Sequence, residues 1–344
     1  MRPAEHLKGL ILDGGWHVDS IFSMPQTSTG GHYSVGYFVS KTGRKAYLKA
    51  LDFSSALSQK DWTTALQDML AAYNFEVSLL KQCNKHKLRR VVTPLDYGTV
   101  KVPGYGQLEN VAYVIFELAG GNVRAEVAKL NQFDLAWSLR TLHHTATGLS
   151  ELHSVGIAHQ DLKPSNVLLF PDKGAKLSDL GNSSFSRGHS QLDSVRIPGD
   201  PSYAPPEQQY GWRHVTDFNS RYVADLYLLG SMVFFHFTRI PASTALYVKV
   251  HDCQDSLPGG EFLQDLPYLQ SAFASAVDQF EKEISSFAKS LTGEIVMIAR
   301  QLCEPDPRRR GDPNTRLSGR QQHDLQSYVS RFDRLATRAE MKIL

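Results

Sequence analysis

The sequence predicts an α+β protein of two unequal lobes, and three observations lead there. The first third alternates runs of β-branched and aromatic residues with turn residues. A Gly120-Gly121 pair then interrupts the pattern. Beyond it, apolar residues recur at helical spacing almost to the end of the chain. A strand-rich lobe joined through a short glycine break to a helix-rich lobe is the layout that such blocks form.

In chain order, strands are expected over 15–23, 33–40 and 44–51, separated by Gly30-Gly31 and Lys41-Thr42-Gly43. A helix follows over 61–83, with Trp62, Leu66, Leu70, Tyr73, Val77 and Leu80 on one face. Two further strands come next, the second over 112–118. Past the glycines, Leu135, Leu139, Leu142, Ala146, Leu149 and Leu152 predict a helix over 133–154. Short strands over 166–170 and 175–178 flank an Asp172-Lys173-Gly174 turn, and helices resume near Val223, Ser271 and Thr292.

Two apolar patterns invite a second meaning. Phe273, Val277, Phe280, Ile284, Phe287 and Leu291 alternate steps of four and three, as a coiled-coil seam would. The run is too short for one, so it predicts a core helix of the second lobe. Residues 316–344 carry six basic and three acidic side chains beside a stripe of Leu325, Tyr328, Val329, Phe332 and Leu335. That pattern predicts a helix packed on the second lobe, with a membrane-surface or partner helix as the alternative.

Composition narrows the class of protein. A chain of 344 residues, 42% hydrophobic, can bury one or two sizeable cores. Its 37 basic and 35 acidic residues nearly cancel, which excludes a global field for nucleic acid or an anionic membrane. Cys83, Cys253 and Cys303 have neither paired nor metal-ligand spacing, a usage that fits a reducing compartment, the cytoplasm. The N-terminal residues lack a basic-then-apolar secretion signal, and apolar runs such as 232–237 are too short to span a bilayer.

The chemistry is concentrated in His159-Gln160-Asp161-Leu162-Lys163-Pro164-Ser165-Asn166, in a loop between an amphipathic helix and a strand. Phosphoryl transfer needs a carboxylate to orient an attacking hydroxyl, a cation near the moving phosphoryl group and oxygen ligands for Mg²⁺. Asp161, Lys163 and Asn166 are the residue types for those tasks. Asp179-Leu180-Gly181 follows, 13 residues after Asn166 and directly behind a short strand. Asp161 and Asn166 acting only as loop caps would leave that coincidence of types and spacing without a cause.

These motifs resemble the protein kinase family over about residues 15–310, and lysine two places after Asp161 resembles its serine/threonine branch. The resemblance implies a bilobal protein-kinase-like fold: a five-stranded antiparallel sheet with one helix over 1–118, a mainly helical lobe over 119–315, and a helical extension over 316–344. It implies ATP with Mg²⁺, or Mn²⁺ in its place, and transfer of the γ-phosphate to serine or threonine hydroxyls of protein substrates. Asp161 would be the catalytic base, Lys163 the cation at the γ-phosphate, and Asn166 and Asp179 the metal ligands. Lys49 in Ala46-Tyr47-Leu48-Lys49 would grip phosphate with Glu76 as its partner. On the apolar face beside Tyr73, Val77 and Leu80, an unpaired Glu76 would be costly. Phe116 would be the gatekeeper, the backbone of Glu117 and Ala119 would meet the adenine edge, Gly30 and Gly31 would approach the phosphates, and Val35 would roof the base. His159, Glu207, Asp225 and Arg310 would be scaffold: Asp225 anchors the catalytic loop, and Arg310 pairs with Glu207 at the end of the substrate platform 199–207.

Several positions depart from that pattern. Ser28, Gly30 and Tyr33 stand where three glycines are usual, and Tyr47 where an alanine roofs the base, so its bulk needs a compensating gap. Gln160 replaces an arginine that binds a phosphorylated loop, so phosphorylation among Ser183, Ser184, Ser186, Ser190 and Ser194 is not the expected on-switch. Asp200 replaces a platform threonine and is placed either to pair with Lys163 or to repel Asp161. Asn122 and Ser165, where arginine-directed members carry glutamates, predict no strong preference for arginine before the target hydroxyl. The loop and the short chain resemble a bacterial kinase more than an animal signalling one. A nucleotide-binding pseudokinase and a small-molecule phosphotransferase are the rival functions; Lys163, Glu207 and Arg310 oppose the second.

Overall fold

The computed structural model describes residues 2–22, 34–106, 109–129, 132–188, 190–212, 218–253 and 260–342. The first lobe contains β1 (His17–Ile21), β2 (Ser34–Lys41), β3 (Arg44–Leu51), helix α1 (Trp62–Lys85), β4 (Pro94–Lys101) and β5 (Asn110–Glu117). The strands form one antiparallel sheet in the order β1-β2-β3-β5-β4. Central β3 is therefore held by ladders on both sides, which fixes Lys49 in space. Side chains alternate between the faces of a strand. Ala46, Leu48 and Ala50 join Tyr37, Val39, Tyr113 and Ile115 on the outer face, where Ala4, Leu7, Leu12 and Trp16 of the N-terminal segment close a small core. Tyr37 Oη donates to the Ala4 carbonyl at 2.7 Å and ties that segment down. Tyr47 and Lys49 face the other way, towards the cleft.

Val35, expected in the cleft, faces away from it. Val35 pairs with Ala50 and packs against the outer core, while Gly36 stands opposite Lys49. Thr42 and Gly43, both at positive φ, make a two-residue turn that pairs Lys41 with Arg44. This tight hairpin sets the register, and a shift of one residue moves a side chain to the opposite face. The glycine-rich loop, with Ser28, Gly30, Gly31 and Tyr33, lies outside the described residues.

Asp61 caps α1 by accepting from the Thr64 N–H at 3.2 Å. The helix buries mainly its second half, through Glu76, Val77, Leu79, Leu80 and Cys83; Trp62 and Leu70, expected on the inner face, are exposed.

The second lobe is built from α2 (Leu135–Ser154), the hairpin β6 (Val167–Phe170) and β7 (Gly174–Leu177), then α3 (Asn219–Thr238), α4 (Ala242–Cys253), α5 (Phe262–Ala288), α6 (Thr292–Leu302) and α7 (Gln326–Glu340). Asp134 caps α2 through the Trp137 N–H at 2.9 Å. Its apolar stripe packs on α3, which is buried from Tyr222 through Phe237. Phe273, Val277, Phe280 and Ile284 of α5 are buried in the same core, as a core helix requires. Helix α7 lays Tyr328, Phe332 and Leu335 against α2 and shares that core. Arg140 of α2 fastens it by donating to Asp333 and, through two nitrogens at 2.8 Å each, to Glu340. No single helix among the described residues is long and apolar enough to cross a membrane; α3 and α4 pass that test only together, bent by 80°.

Candidate active site

The cleft between sheet and helical lobe gathers residues from 49 to 200. Lys49 Nζ lies 3.1 and 3.2 Å from the two carboxylate oxygens of Glu76 and 3.4 Å from Asp179 Oδ1. Glu76 is 7% exposed, so α1 delivers a buried negative charge that the lysine compensates. Burial by itself would lower the Lys49 ammonium, but Glu76 and then Asp179 outweigh it and hold the group charged above its ordinary range. The Lys49 charge in turn draws the Asp179 carboxyl below its usual range against the opposing effect of burial.

The loop 159–166 is hung from α3. Fully buried Asp225 accepts the backbone N–H of His159 at 2.7 Å and of Gln160 at 2.8 Å, and also meets His153 Nε2 at 2.9 Å. His159 Nε2 reaches the Ser178 carbonyl at 3.2 Å, which couples this loop to the strand that delivers Asp179. Gln160 (φ 64°) and Asp179 (φ 62°) both adopt left-handed backbone. Strain at two non-glycine residues persists because these contacts over-determine them.

Asp161 is 3% exposed, and both of its oxygens are engaged. Oδ1 accepts the Asp200 N–H at 2.9 Å. Oδ2 accepts from Asn166 Nδ2 at 3.2 Å and Asn182 Nδ2 at 3.0 Å, and Lys163 Nζ is 3.1 Å away. Lys163 also lies 3.8 Å from Asp200 Oδ2, so the aspartate that replaces a threonine shares the lysine with Asp161. Asn166 Nδ2 further donates to the Asp161 carbonyl at 2.9 Å, which fixes its amide plane.

At the junction of the lobes, Phe116 pairs with Tyr47 across β3–β5 and so shares the cleft face with Lys49. The Glu117 side chain holds Lys173 at 2.7 Å and also pairs with Lys176, both on the β6–β7 hairpin. Burial opposes its charge, but these two lysines prevail and keep its carboxyl below the usual range. Ala119 follows, and the Gly120 N–H donates to the Leu169 carbonyl at 2.8 Å. The gap that Tyr47 needs is Gly36: a methyl group there would lie 2.8 Å from Tyr47 Oη and 2.9 Å from its Cε2. Phe22 closes the other side of Tyr47 edge-on, with ring centroids 5.3 Å apart.

Below the cleft, Arg310 makes a two-pronged pair with Glu207 at 2.7 and 2.8 Å. The guanidinium is fully buried over the Tyr227 ring, 4.9 Å from its centroid. Burial by itself would lower Arg310, and Glu207 more than reverses it. This pair fixes the end of the platform to the body of the lobe.

Lys49, Glu76 and Asp179 thus make one set of direct contacts and Asp161, Lys163 and Asn166 a second, and Ser178 bridges the two by donating to the Asn166 carbonyl. Val35 does not join them. Asn182, Gly36, Lys173 and Lys176 enter as participants that sequence reasoning passed over. Asn182 had a local signal, since it directly follows Asp179-Leu180-Gly181. No cluster of three or more His, Cys, Asp or Glu able to hold a metal occurs among the described residues. The donors at hand are the Asp179 carboxylate, 45% exposed, and the Asn166 amide. An oxygen-only set of this kind fits a hard cation that fills its remaining positions with water and substrate phosphates.

A protein kinase domain model matches residues 30–315, most of the chain, and the chain belongs to the protein kinase family. Among curated relatives it is similar to the serine/threonine-protein kinase PknA of Mycobacterium tuberculosis, 29% identical over 136 residues, 39% of this chain and 30% of that protein. It is similar to a probable serine/threonine-protein kinase PknB of Bifidobacterium longum, 26% identical over 234 residues, 64% of this chain and 32% of that one. The human hormonally up-regulated neu tumor-associated kinase matches at 26% over 221 residues, 62% of this chain and 26% of its own length. The chain spans about a third or less of the length of these relatives.

Proposed function

We propose that this protein transfers the γ-phosphate of ATP to serine or threonine hydroxyls of protein substrates. The observation that carries this reading is that Lys49, Glu76, Asp161, Lys163, Asn166 and Asp179, which are spread over 131 positions, form two contact clusters, Lys49–Glu76–Asp179 and Asp161–Lys163–Asn166. The two are joined through Ser178, which precedes Asp179 and donates its N–H and its hydroxyl to the Asn166 carbonyl. Asp161 orients the acceptor hydroxyl and takes its proton as the hydroxyl oxygen bonds to the γ-phosphorus and the bond from that phosphorus to the β–γ bridging oxygen breaks, releasing ADP. Its carboxylate cannot swing away, because Asp200, Asn166 and Asn182 hold it from three sides. Lys163 stands beside it to balance charge that develops on the transferring group. Lys49, locked by Glu76, grips the nucleotide phosphates.

Asn166 and Asp179 would hold Mg²⁺, or Mn²⁺, which when bound screens the phosphate charges against one another. The backbone at Glu117 and Ala119 would meet the adenine edge, with Phe116 behind it and Tyr47 above. Gly30 and Gly31 would bring backbone N–H groups to the phosphates. Serine and threonine are favoured by Lys163 at its place after Asp161 and by the serine/threonine kinases among the relatives. A cytoplasmic setting is supported by free, buried Cys83 and Cys303.

The deciding experiment follows labelled phosphate from Mg·ATP into the protein itself and into a generic basic protein. Asp161→Asn should lower the rate by about 10²–10⁴ and leave ATP binding intact. Equal label in wild type and variant, or ATP binding with no transfer by either, refutes the proposal.

A further inference from the structure

Gln160 leaves the catalytic loop without an arginine, and the fold brings one from another element. Arg221, one helical turn before Asp225 on α3, reaches into the loop that connects Asp179 with the platform. Its Nη1 lies 3.2 Å from Asp193 Oδ1, and its Nη2 donates to the Asp193 carbonyl at 3.1 Å. Nη1 also donates to Ser184 Oγ at 2.6 Å, and that hydroxyl donates to Asp193 Oδ1 at 3.1 Å. The second carboxylate oxygen of Asp193 accepts the Ser190 N–H at 3.0 Å. Gln160 completes the circuit: its amide donates to the Arg221 carbonyl at 2.8 Å. One carboxylate therefore ties the start and the middle of this loop to Arg221 of α3, and the Arg221 carbonyl ties the same turn of α3 to Gln160, the residue before Asp161. Further on, Arg196 Nε donates to the Gln208 carbonyl at 2.9 Å, and the Asp200 N–H holds Asp161.

We propose that Asp193 is a built-in positioning residue: with Arg221 it holds the loop in its transfer-competent course permanently, the task that a phosphate performs only on demand. One carboxylate oxygen and the backbone carbonyl of Asp193 meet the two arms of the planar guanidinium, a fork suited to an anion with several acceptor oxygens. A phosphate added nearby would bring more charge, but the guanidinium it would seek is already neutralised by Asp193. Ser184, the hydroxyl within the circuit, is fully buried, so its modification would first require the loop to open. The ion pair is partly exposed, 21% and 28%, so it adds little to global stability. Its effect is on where the platform lies relative to Asp161. The proposal rests on the transfer reading above and is tested so that the two can fail separately.

Wild-type protein is treated with phosphatase until mass spectrometry finds no phosphate, then assayed for kcat and for the KM of ATP and of a protein substrate. Amide exchange over 184–200 is followed in parallel. The phosphate-free wild type should keep its full rate. Asp193→Asn should lose about tenfold or more in kcat through displacement of the platform, with the KM of ATP within about twofold of wild type. Its exchange over 184–200 should accelerate, and Asp193→Glu should recover most of both losses. The exchanged pair Asp193→Arg with Arg221→Asp should likewise regain activity over either single change. Loss of activity on phosphatase treatment would overturn the proposal, as would an Asp193→Asn protein equal to wild type in kcat and exchange. Where Asp193→Asn does not fold, the phosphatase arm and the exchanged pair decide. A wild type inactive in both states refutes the transfer reading instead, and exchange alone then decides the clamp.

Discussion

Introducing valine at Gly36 tests whether the roof of the cleft is the aromatic ring of Tyr47. Gly36 lies in the middle of β2 at ordinary extended φ, so a β-branched residue suits its backbone. The obstacle is space. A Cβ there would sit 2.8 Å from Tyr47 Oη, 2.9 Å from Cε2 and 3.2 Å from the Phe22 Cβ, all inside normal van der Waals separation. The strand is fixed by its ladder with β3, and Phe22 blocks one side, so the ring must turn towards the cleft. Overpacking of this kind costs about 1–3 kcal/mol. Where the displaced ring occupies nucleotide space, that cost appears in ATP affinity, a rise in Kd of about 5- to 150-fold. Calorimetric titration with Mg·ATP reads the affinity, and a thermal melt reports any share taken from stability. Gly36→Val with Tyr47→Ala should bind ATP more tightly than Gly36→Val alone, because the smaller side chain returns the space. A Gly36→Val protein with unchanged Kd and unchanged melting would refute the packing. A double variant no better than the single would show that the ring is not the cause.

Two other perturbations probe the scaffold. Arg310→Met leaves Glu207 buried without its partner and should cost about 3–5 kcal/mol, a fall in Tm of roughly 4–7 °C for a chain of this length; an unchanged melt would refute the dependence of Glu207 on this pair. Asp333 and Glu340 have carboxyls held below their usual range, in both cases first by the hydrogen bond from Arg140. A depressed carboxyl contributes its stabilisation above its unfolded pKa and loses it as pH falls through the folded one. Acidification below about pH 4 should therefore loosen α7 before the rest of the lobe. Amide protection in α7 that persists until global unfolding would refute that.

What was legible in the sequence was chemistry carried by residue type at short, fixed separation. Asp161, Lys163 and Asn166 lie within one loop, and Asp179 follows across a single hairpin, so their convergence needed no knowledge of the long-range fold. Lys49 and Glu76 were legible for a different reason. A carboxylate on the apolar face of a helix demands a buried cation, and the sheet offered one. Position across strands was not legible in that way. Whether Val35 or Gly36 faces the cleft depends on a two-residue turn at Thr42-Gly43, and one residue of register inverts the answer. The bulk of Tyr47 announced that a gap must exist, but only the register identifies Gly36 as that gap. Asp193 and Arg221 stand 28 positions apart with no local pattern joining them. What the sequence did display was the vacancy left by Gln160, and the structure fills it from α3 with a side chain that no motif would single out. Positions that break a family pattern therefore mark where the fold has moved a task to another residue. Here two such positions, Tyr47 and Gln160, lead to Gly36 and to the Asp193–Arg221 pair.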